Sequence, residues 1–248
     1  MKPILARAER ATLARFASRE LLVAFDFDGT LAPIVRAPAR AAMRARTRRL
    51  LRSLAELYPC VVISGRSRRD LLSRLRGTSV LRAIGNHGGE PSARPREVRA
   101  RVRRWRAALA RRLRGLAGVT IEDKGLSIAV HYRRAPERAR ARQTIREAAS
   151  GQAQTRVVGG KCVVNLVPRG APNKGAALEA EKRRLGCDAA LYVGDDETDE
   201  DVFGLPADGS RMGIRVGRKR GSRARYYLRE QAQIDALLEA LIRLRRRP

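Results

Sequence analysis

Short apolar runs alternate with longer amphipathic stretches over most of this chain. The runs at 21–26, 60–64 and 80–85 have the length and composition of strands. The stretches at 41–58 and 69–75 repeat apolar residues at helical spacing. Continuous apolar strands that alternate with helices are typical of a parallel sheet covered on both faces. The pattern therefore predicts an α/β fold with a Rossmann-like, largely parallel sheet.

The pattern changes after the Gly- and Pro-rich stretch GNHGGEPSARP. Residues 97–167 read as helix, strand, strand, helix, strand, strand, with short glycine-containing turns that favour hairpins. The alternation of strand and helix then returns, beginning with a helix for which Asn173 is the expected N-cap. We therefore expect a discontinuous α/β core formed by residues 1–92 and 168–248, with a small α+β unit inserted at 93–167.

Basic side chains dominate the composition. The 248-residue chain has 54 Lys and Arg, 25 Asp and Glu, and a formal net charge of +29. Such a surface attracts polyanions. The basic residues are nevertheless spread over nearly every predicted helix, and aromatic residues make up only 4% of the chain, with no stacking platform for bases. We interpret most of the charge as a solvated surface and expect no specific nucleic-acid partner.

Lysine is rare in this arginine-rich chain, since only six of the 54 basic residues are lysines. Where any positive surface suffices the chain uses arginine, so a retained lysine indicates a place that needs a compact ammonium group. Lys124, Lys161 and Lys174 all lie in short glycine-flanked segments, EDKG, GGKC and NKGA. These three lysines are candidate ligand contacts.

No stretch of the sequence approaches the length of a membrane-spanning helix, and charges are scattered through its N-terminal segment. Cys60, Cys162 and Cys187 are widely spaced, odd in number and set in apolar surroundings. This pattern is typical of reduced cysteines rather than of disulfides or metal ligands. We expect a soluble, cytoplasmic monomer without a membrane partner.

Polar clusters follow the predicted strands at the point where each strand ends. In a parallel sheet these ends meet at one edge, where ligands bind. The lysine of NKG lies at the start of a helix, where backbone amides also favour an anion. The clustered residues are Asp26 and Asp28 after the first strand, Ser64, Gly65 and Arg66 after the second, and Asp195 and Asp196 after a later one.

Acids, a hydroxyl and an ammonium group at one edge are the parts needed for phosphoryl transfer. Oxygen ligands from Asp26, Asp195 and the backbone carbonyl of Asp28 suit Mg²⁺. Asp26 is then placed to attack phosphorus, while Asp28 protonates the leaving oxygen and later activates water. Ser64 and Lys174 would hold the phosphate oxygens. The sequence thus predicts a Mg²⁺-dependent phosphatase.

The segments DFDGTLAP, VISGR, NKG and GDDETDED resemble, in order and spacing, the four signature segments of the haloacid dehalogenase (HAD) superfamily. Over roughly residues 20–220 the chain is similar to the trehalose-6-phosphate phosphatase family, in DGTLAPIVRAP, GNHGGE, IEDKGLSIAVHYR, GGKCVVNLVPRGAPNKG and GDDETDEDVF. The resemblance implies a HAD core with an inserted cap at 93–167. It also implies hydrolysis of trehalose 6-phosphate through an aspartyl phosphate, with Mg²⁺ as cofactor.

The resemblance also implies roles for individual residues. Asp26 matches the nucleophile, Asp28 the general acid/base, Ser64 with Gly65 the phosphate-binding segment, and Lys174 the lysine that pairs with nucleophile and phosphate. Asp195 matches the metal-binding acid, with its neighbours Asp196 and Asp199 as further candidates. In the cap, Lys124, His131 and Arg133 match sugar-facing positions, and Lys161, a further candidate for substrate binding, lies nearby.

One departure affects the expected substrate. Where such phosphatases commonly have Glu followed by a charged residue before the proline, this chain has Asn165 and Leu166. An amide can bond sugar hydroxyls, but without the strength of a charged group. Another sugar phosphate or a phosphoglycoside therefore remains an alternative substrate. An alternative from another class is a polyanion-binding protein on the same scaffold.

Three further residues have two interpretations each. His87, in GNHGG, either orients the backbone near the site or fills a turn. His131 shares a strand face with Arg133, and a cap would use that polar face for substrate rather than leave it exposed. Trp105, among arginines on a predicted helix, is either a recognition residue or a packing residue, and we interpret it as packing.

Overall fold

The structure, a computed structural model, describes residues 1–35, 37–92 and 94–246. Within those residues the chain forms a seven-stranded sheet and a separate four-stranded sheet. The strands are β1 (Lys2–Pro3), β2 (Leu21–Phe25), β3 (Cys60–Ile63), β4 (Arg82–Ile84), β5 (Thr120–Asp123), β6 (Ile128–His131), β7 (Thr155–Gly160), β8 (Val163–Pro168), β9 (Ala189–Gly194), β10 (Arg211–Val216) and β11 (Tyr226–Leu228). The α-helices are α1 (Arg10–Ala17), α2 (Ala45–Ala55), α3 (Arg68–Arg74), α4 (Pro95–Arg112), α5 (Arg138–Ser150), α6 (Lys174–Arg184), α7 (Glu200–Phe203) and α8 (Ile234–Arg246).

The large sheet is parallel throughout, in the order β1-β11-β10-β9-β2-β3-β4. The small sheet is antiparallel, in the order β5-β6-β8-β7, and its strands come from two hairpins. Along the chain the small sheet lies between β4 and α6, so it interrupts the large one. The predicted α/β fold with a parallel sheet and a second α+β unit is confirmed.

Strand β2 is buried over its whole length because helices cover both faces of the large sheet. Leu21, Val23 and Phe25 pack in the core that includes α1, α2 and α8. Leu22 and Ala24 pack in the opposite core with α6 and α7. Alternate residues of β2 thus enter two different cores, which is why the strand is apolar at every position.

Helices α4 and α5 cover one face of the small sheet. Trp105 of α4 and Ile145 of α5 pack against Val130 and Val164 of the sheet. Trp105 is buried and its indole Nε1 donates to the carbonyl oxygen of Ala153 at 3.3 Å, so it is a packing residue as predicted. The other face of the small sheet is left uncovered by these helices.

Some element boundaries differ from the sequence prediction. The helix expected at 41–58 begins only at Ala45, since residues 41–44 have no regular structure. Helix α1, the edge strand β1 and its neighbour β11 were not predicted. Strands of two and three residues carry little periodicity of their own, and they form here because they pair with each other and with β10.

Two further predictions concern membrane-spanning helices and the cysteines. Among the residues that the structure describes, no helix is both long and apolar enough to cross a membrane. The three cysteines are free thiols, with Cys60 buried and Cys162 and Cys187 half-buried.

Candidate active site

The carboxyl ends of three neighbouring strands, β9, β2 and β3, meet in the middle of the large sheet. Asp195 directly follows β9, Asp26 follows β2, and Ser64 follows β3. Lys174 is the first residue of α6, whose N-terminus is capped by the side chain of Asn173 as predicted. The side chains of Asp26, Ser64, Lys174 and Asp195 are all buried. Residues far apart in the sequence therefore share one buried polar site.

Lys174 bridges two of the buried acids. Its Nζ lies 3.2 Å from Asp26 Oδ1 and donates to Asp199 Oδ1 at 2.7 Å. Asp199 is held in turn by the Tyr192 hydroxyl, which donates to Oδ1 at 2.7 Å, and by the backbone N–H of Asp196, which donates to Oδ2 at 2.7 Å. Both oxygens of Asp199 are thus used to fix the lysine beside Asp26.

The site contains more negative charge than its lysines neutralise. Burial raises the pKa of Asp26 well above its usual range; Lys174 opposes this effect, while Asp199 and Asp195 add to it. Burial also raises the pKa of Asp195 to about 6, although the ammonium of Lys161 counteracts it. Burial by itself lowers the pKa of Lys174, but Asp199 and Asp26 outweigh it and raise the pKa. A bound cation would lower the pKa of both carboxyl groups.

Asp26, Asp195 and Asp199 each offer a carboxylate oxygen, and these oxygens lie within 4.8 Å of one another. Asp195 Oδ1 is buried and has no hydrogen-bond partner among the described residues. Asp199 is less available, since its two oxygens already accept hydrogen bonds from protein groups. Buried carboxylate oxygens of this kind fit Mg²⁺. Asp26 and Asp195 are therefore the candidate metal ligands of the cluster.

Two other predicted ligands direct their side chains elsewhere. The Asp28 carboxylate accepts two hydrogen bonds from Arg66, from Nε to Oδ2 and from Nη2 to Oδ1, both at 2.6 Å. The Asp196 carboxylate is not part of the three-acid cluster, and the residue instead donates its backbone N–H to Asp199. For Asp28 the predicted ligand is the backbone carbonyl, which the contact of its side chain with Arg66 does not involve.

Two glycines make room for the buried acids. A Cβ atom at Gly29 would overlap the carboxylate of Asp195, and a Cβ at Gly194 would overlap that of Asp199. Gly29 also has a positive φ of 84°, which other residues rarely adopt. Any side chain at Gly29 or Gly194 would therefore collide with an acid that folding brings close.

The predicted phosphate-binding segment lies against a loop from β4. Ser64 Oγ accepts a hydrogen bond from the backbone N–H of Arg66 at 3.3 Å. The imidazole of His87 lies so close to Gly65 that a Cβ there would be 2.5 Å from Cε1. The backbone N–H of His87 donates to the carbonyl oxygen of Ser64 at 2.9 Å. This loop therefore supports the segment directly.

The small sheet contacts the site through residues in and beside the turns of its two hairpins. Lys124 Nζ donates to the carbonyl oxygen of Gly65 at 2.8 Å. Lys161, on the turn between β7 and β8, forms an ion pair with Asp195. A Cβ at Gly160 would lie 3.0 Å from Asp196 Oδ2, so the backbone of β7 approaches the core closely here. Lys124, Lys161 and Lys174, the lysines singled out in the sequence, all reach this site.

The remaining predicted sugar-facing residues divide into two groups. Asn165 of β8 is 2% exposed, and its Oδ1 has no partner among the described residues. His131 Nε2 lies 2.7 Å from Glu122 Oε2, across the β5–β6 hairpin. Arg133 Nη2 donates to the carbonyl oxygen of Lys161 at 3.1 Å. The His131 and Arg133 side chains are thus engaged within the small sheet, whereas Asn165 has an atom free to bind.

Sequence reasoning missed three residues that hold this site together. Arg66 was placed at the edge of the sheet, but its clamp on Asp28 was not foreseen. Arg215 is buried and donates from Nη2 to the carbonyl oxygen of Asp195 at 2.5 Å, and Tyr192 supports Asp199. Arg66 carried a signal, since it directly follows the serine and glycine of SGR. Arg215 and Tyr192 carried none, because their partners are set by contacts between strands and loops.

The parallel sheet, the second antiparallel sheet and the buried acids beside Lys174 define a phosphatase with the HAD fold. The chain belongs to the trehalose-phosphatase family, whose model matches residues 24–232.

Individual relatives agree with this assignment. The chain is 30% identical over 271 residues to a probable trehalose-phosphate phosphatase 9 of Oryza sativa subsp. japonica, covering 94% of this chain and 72% of the relative. It is 29% identical to the trehalose 6-phosphate phosphatase RA3 of Zea mays, covering 92% of this chain and 72% of the relative. Among solved structures, a trehalose-6-phosphate phosphatase of Aspergillus fumigatus is 26% identical, with a TM-score of 0.64 and coverage of 98% of this chain and 99% of that chain. The C-terminal domain of the C. albicans trehalose-6-phosphate phosphatase has the same fold, with a TM-score of 0.80, 24% identity and 98% coverage of each chain.

Proposed function

We propose that this protein hydrolyses trehalose 6-phosphate to trehalose and inorganic phosphate. The single observation that carries the proposal is the buried pair of Asp26 and Lys174, 3.2 Å apart, at the edge of a parallel sheet in a chain of the trehalose-phosphatase family. An ammonium group beside a buried carboxylate favours the ionised form of that carboxylate and attracts a phosphate dianion to it.

In this proposal the reaction has two steps. A carboxylate oxygen of Asp26 attacks phosphorus, and the bond from phosphorus to the sugar oxygen breaks while Asp28 gives that oxygen a proton. Asp28 then takes a proton from a water molecule, whose oxygen attacks the phosphorus of the aspartyl phosphate and frees Asp26. Ser64, the backbone at Gly65 and Lys174 hold the phosphate oxygens. Arg66 fixes the direction in which Asp28 points.

We propose that Mg²⁺ is the cofactor, bound by Asp26, Asp195 and the backbone carbonyl of Asp28, with Asp196 as a further candidate. When bound, the ion neutralises charge on the phosphate oxygens. The arrangement of acids supports this, because Asp195 has a buried oxygen without a partner and Asp26 lies next to it. Lys174 cannot neutralise both carboxylates, since it is shared with Asp199.

We propose that residues 93–167 form the cap, joined to a core of residues 1–92 and 168–248. Lys124, Lys161 and Asn165 would contact the substrate first, because they are the members of the predicted set that reach the core. His131 and Arg133 would join them after leaving Glu122 and the carbonyl oxygen of Lys161. Closure of the cap would exclude bulk water from the aspartyl phosphate.

Phosphate release from a panel of sugar phosphates, with Mg²⁺ or with EDTA, tests the proposal. We expect the highest kcat/KM on trehalose 6-phosphate, loss of activity in EDTA, and no turnover by Asp26→Asn. Asp188→Asn is the matched control, because Asp188 is an exposed acid paired with Arg19. Comparable rates on unrelated sugar phosphates would reject trehalose 6-phosphate as the substrate and favour the broader sugar-phosphate alternative that Asn165 raises.

Mass spectrometry of rapidly quenched turnover mixtures tests the intermediate. We expect the phosphoryl group on the peptide that contains Asp26. An adduct on any other residue would reject the proposed nucleophile even if the activity itself were found.

A further inference from the structure

Asp70 is an acid of the core on which two arginines converge. It lies in the first turn of α3, and its backbone N–H donates to the hydroxyl oxygen of the N-cap residue Ser67 at 3.3 Å. The Asp70 carboxylate accepts hydrogen bonds from Arg66 Nη1 at 2.6 Å and from Arg74 Nε at 3.1 Å. Asp70 thus joins an arginine that precedes α3 to the arginine at the end of α3.

Arg66 links Asp70 to the proposed general acid. Arg66 Nε and Nη2 both donate to the Asp28 carboxylate at 2.6 Å, while Nη1 donates to Asp70. Nη2 also donates to the carbonyl oxygen of Pro38 at 2.8 Å. All three nitrogens of the guanidinium are therefore occupied. A planar group that is bound on both sides has little freedom to turn.

Asp70 is ionised in this position. Burial raises the pKa of Asp70, but hydrogen bonds from Arg74 and Arg66 outweigh burial and lower the pKa. Hydrogen bonds between two charged groups are shorter and stronger than those between neutral groups. The Arg66 side chain is only 10% exposed, so water competes little for its contact with Asp70. This contact is therefore a firm anchor for the guanidinium.

Arg74 in turn fixes Asp70 from the other side. Arg74 Nη2 donates to the carbonyl oxygen of Ala39 at 3.2 Å, and Nη1 donates to that of Ala41. Asp70 is thus held by a side chain that is itself bound to a separate loop. Removal of the Asp70 carboxylate would release one side of Arg66 and leave the other side on Asp28.

An acid at the start of a helix also has an ordinary structural role. It stabilises the positive end of the helix dipole, and it can pair with a basic residue four positions further along the helix. Arg74 supplies that pair for Asp70. Arg66 lies before the N-cap of α3 and carries Asp28 on its other side. The contact of Asp70 with Arg66 therefore goes beyond what the helix needs.

We infer that Asp70 is a positioning residue for proton transfer, acting through Arg66 to hold Asp28 where it can protonate the leaving sugar oxygen. This inference rests on the proposed function, because Asp28 is the general acid of that reaction. A general acid must lie within hydrogen-bond reach of the oxygen that it protonates, and a displacement of about 1 Å can cost about 100-fold in rate.

The contact with Arg66 leaves Asp28 able to carry the proton. Each Asp28 carboxylate oxygen accepts one hydrogen bond from Arg66 and keeps a second lone pair. The proton on that lone pair moves to the leaving oxygen as the bond from phosphorus to the sugar oxygen breaks. Asp70 neither gains nor loses a proton in this step.

The dependence of kcat/KM on the leaving group tests this role. The sugar oxygen of trehalose 6-phosphate needs a proton to leave, whereas p-nitrophenolate leaves without one. We expect Asp70→Ala to lower kcat/KM about 10- to 100-fold on trehalose 6-phosphate and at most about 3-fold on p-nitrophenyl phosphate. Asp70→Asn keeps an oxygen acceptor for Arg66 and should recover part of the loss. If Asp70→Ala does not fold, Asp70→Asn carries the same comparison with a smaller expected loss.

A series of substituted phenyl phosphates removes the sugar from the comparison. A plot of log kcat/KM against the pKa of the leaving phenol should fall more steeply in Asp70→Ala than in the wild type, because proton donation matters most for the poorest leaving groups. Equal slopes would overturn the inference and leave Asp70 with its role at the start of α3.

A double variant tests whether Asp70 acts through Arg66. In Arg66→Met the link to Asp28 is already lost, so adding Asp70→Ala should change the ratio of the two kcat/KM values little further. Two losses that multiply would show that Asp70 acts by another route, and would overturn the inference.

The matched control is Asp235→Ala. Asp235 also lies in the first turn of a helix and pairs with an arginine, Arg44, at 3.6 Å. The ratio of the two kcat/KM values in Asp235→Ala should match that of the wild type. An equal fall on both substrates in Asp70→Ala, or no fall on either, would overturn the positioning role.

Failure of the proposed function is visible in the wild type alone. If the wild type prefers a different sugar phosphate, trehalose 6-phosphate fails as the proposed substrate, and the preferred ester takes its place in the same ratio. A wild type without activity on any phosphate ester would overturn the proposed function and this inference together. An active wild type with an unchanged ratio in Asp70→Ala would overturn this inference only.

Discussion

The ammonium of Lys174 donates to Asp199 at 2.7 Å and lies 3.2 Å from Asp26, so one buried cation is shared by two buried acids. We expect Lys174→Met to cost about 3–5 kcal/mol in the free energy of unfolding of the metal-free protein, because it leaves both carboxylates uncompensated. Lys174→Met/Asp199→Asn should recover part of that loss. Urea denaturation measures both effects.

Lys182→Met is the matched control for this prediction. Lys182 is also on α6, but its ammonium donates to Ser210 Oγ and has no buried acid to neutralise. Its replacement should cost about 1 kcal/mol or less. The interpretation is wrong if the two lysine variants lose similar stability.

The ion pair between Lys161 and Asp195 makes a second prediction possible, since a bound divalent cation would compete for the same carboxylate. We expect Lys161→Met to lower the Tm of the metal-free protein and to increase the rise in Tm that MgCl₂ produces. Differential scanning calorimetry with and without the salt measures both. Lys219→Met is the control, because Lys219 is equally exposed but pairs with the exposed Glu197 at 3.8 Å. Identical Mg²⁺ responses in Lys161→Met and wild type would contradict the competition.

Gly194 gives a test of how accurately Asp199 must be placed. An alanine Cβ there would displace the Asp199 carboxylate, and the lysine that it holds would move with it. We expect about 100-fold lower kcat for Gly194→Ala, since a displacement of this size in a site commonly costs that much. Steady-state assays of phosphate release measure the effect.

Gly213→Ala separates this effect from general overpacking. Its Cβ would lie 2.7 Å from Phe203 Cδ1 in the adjoining apolar core, away from the acids. It should lose about 1–3 kcal/mol of stability with little change in kcat. Equal losses of kcat in the two glycine variants would show that the position of Asp199 is not the cause.

Tyr58 predicts how stability depends on alkaline pH. Burial raises the pKa of Tyr58 from 10.0 to about 12, although Arg245 opposes the shift. Its hydroxyl donates to the carbonyl oxygen of Ala17 at 3.0 Å. Between pH 10 and 12 the unfolded chain releases this proton while the folded protein retains it, so stability falls as the pH rises. Tyr58→Phe should lose less stability over this interval, as measured by denaturation at several pH values. A parallel decline in both proteins would refute the prediction.

Much of the site could be predicted because its residues follow from local patterns. Asp26, Ser64 and Asp195 come directly after buried strands, and a parallel sheet brings those strand ends to one edge. Lys174 follows a good N-cap residue, so its place at the start of a helix was also a local property. The rarity of lysine in an arginine-rich chain, together with flanking glycines, identified Lys124 and Lys161 as candidate ligand contacts.

The partners of these residues could not be predicted in the same way. Asp196 and Asp199 were both candidates beside Asp195, and only Asp199 lies in the three-acid cluster, while the Asp28 side chain is bound by Arg66, 38 positions away. All of these acids are aspartates, so the residue type alone does not distinguish a metal ligand from an acid bound by arginine. Which of them faces a cation is decided by distances between side chains on different elements.

The order of apolar and polar residues was enough to establish an α/β architecture, an inserted α+β unit and an edge rich in acids, since strand and helix periodicity is encoded within each segment. Only the folded chain decided that Asp199 holds Lys174, that Arg66 clamps Asp28, and that His87 packs against Gly65. The contacts of Asp199 and Arg66 depend on how closely separate segments pack, because hydrogen bonds and ion pairs form only within a few ångströms.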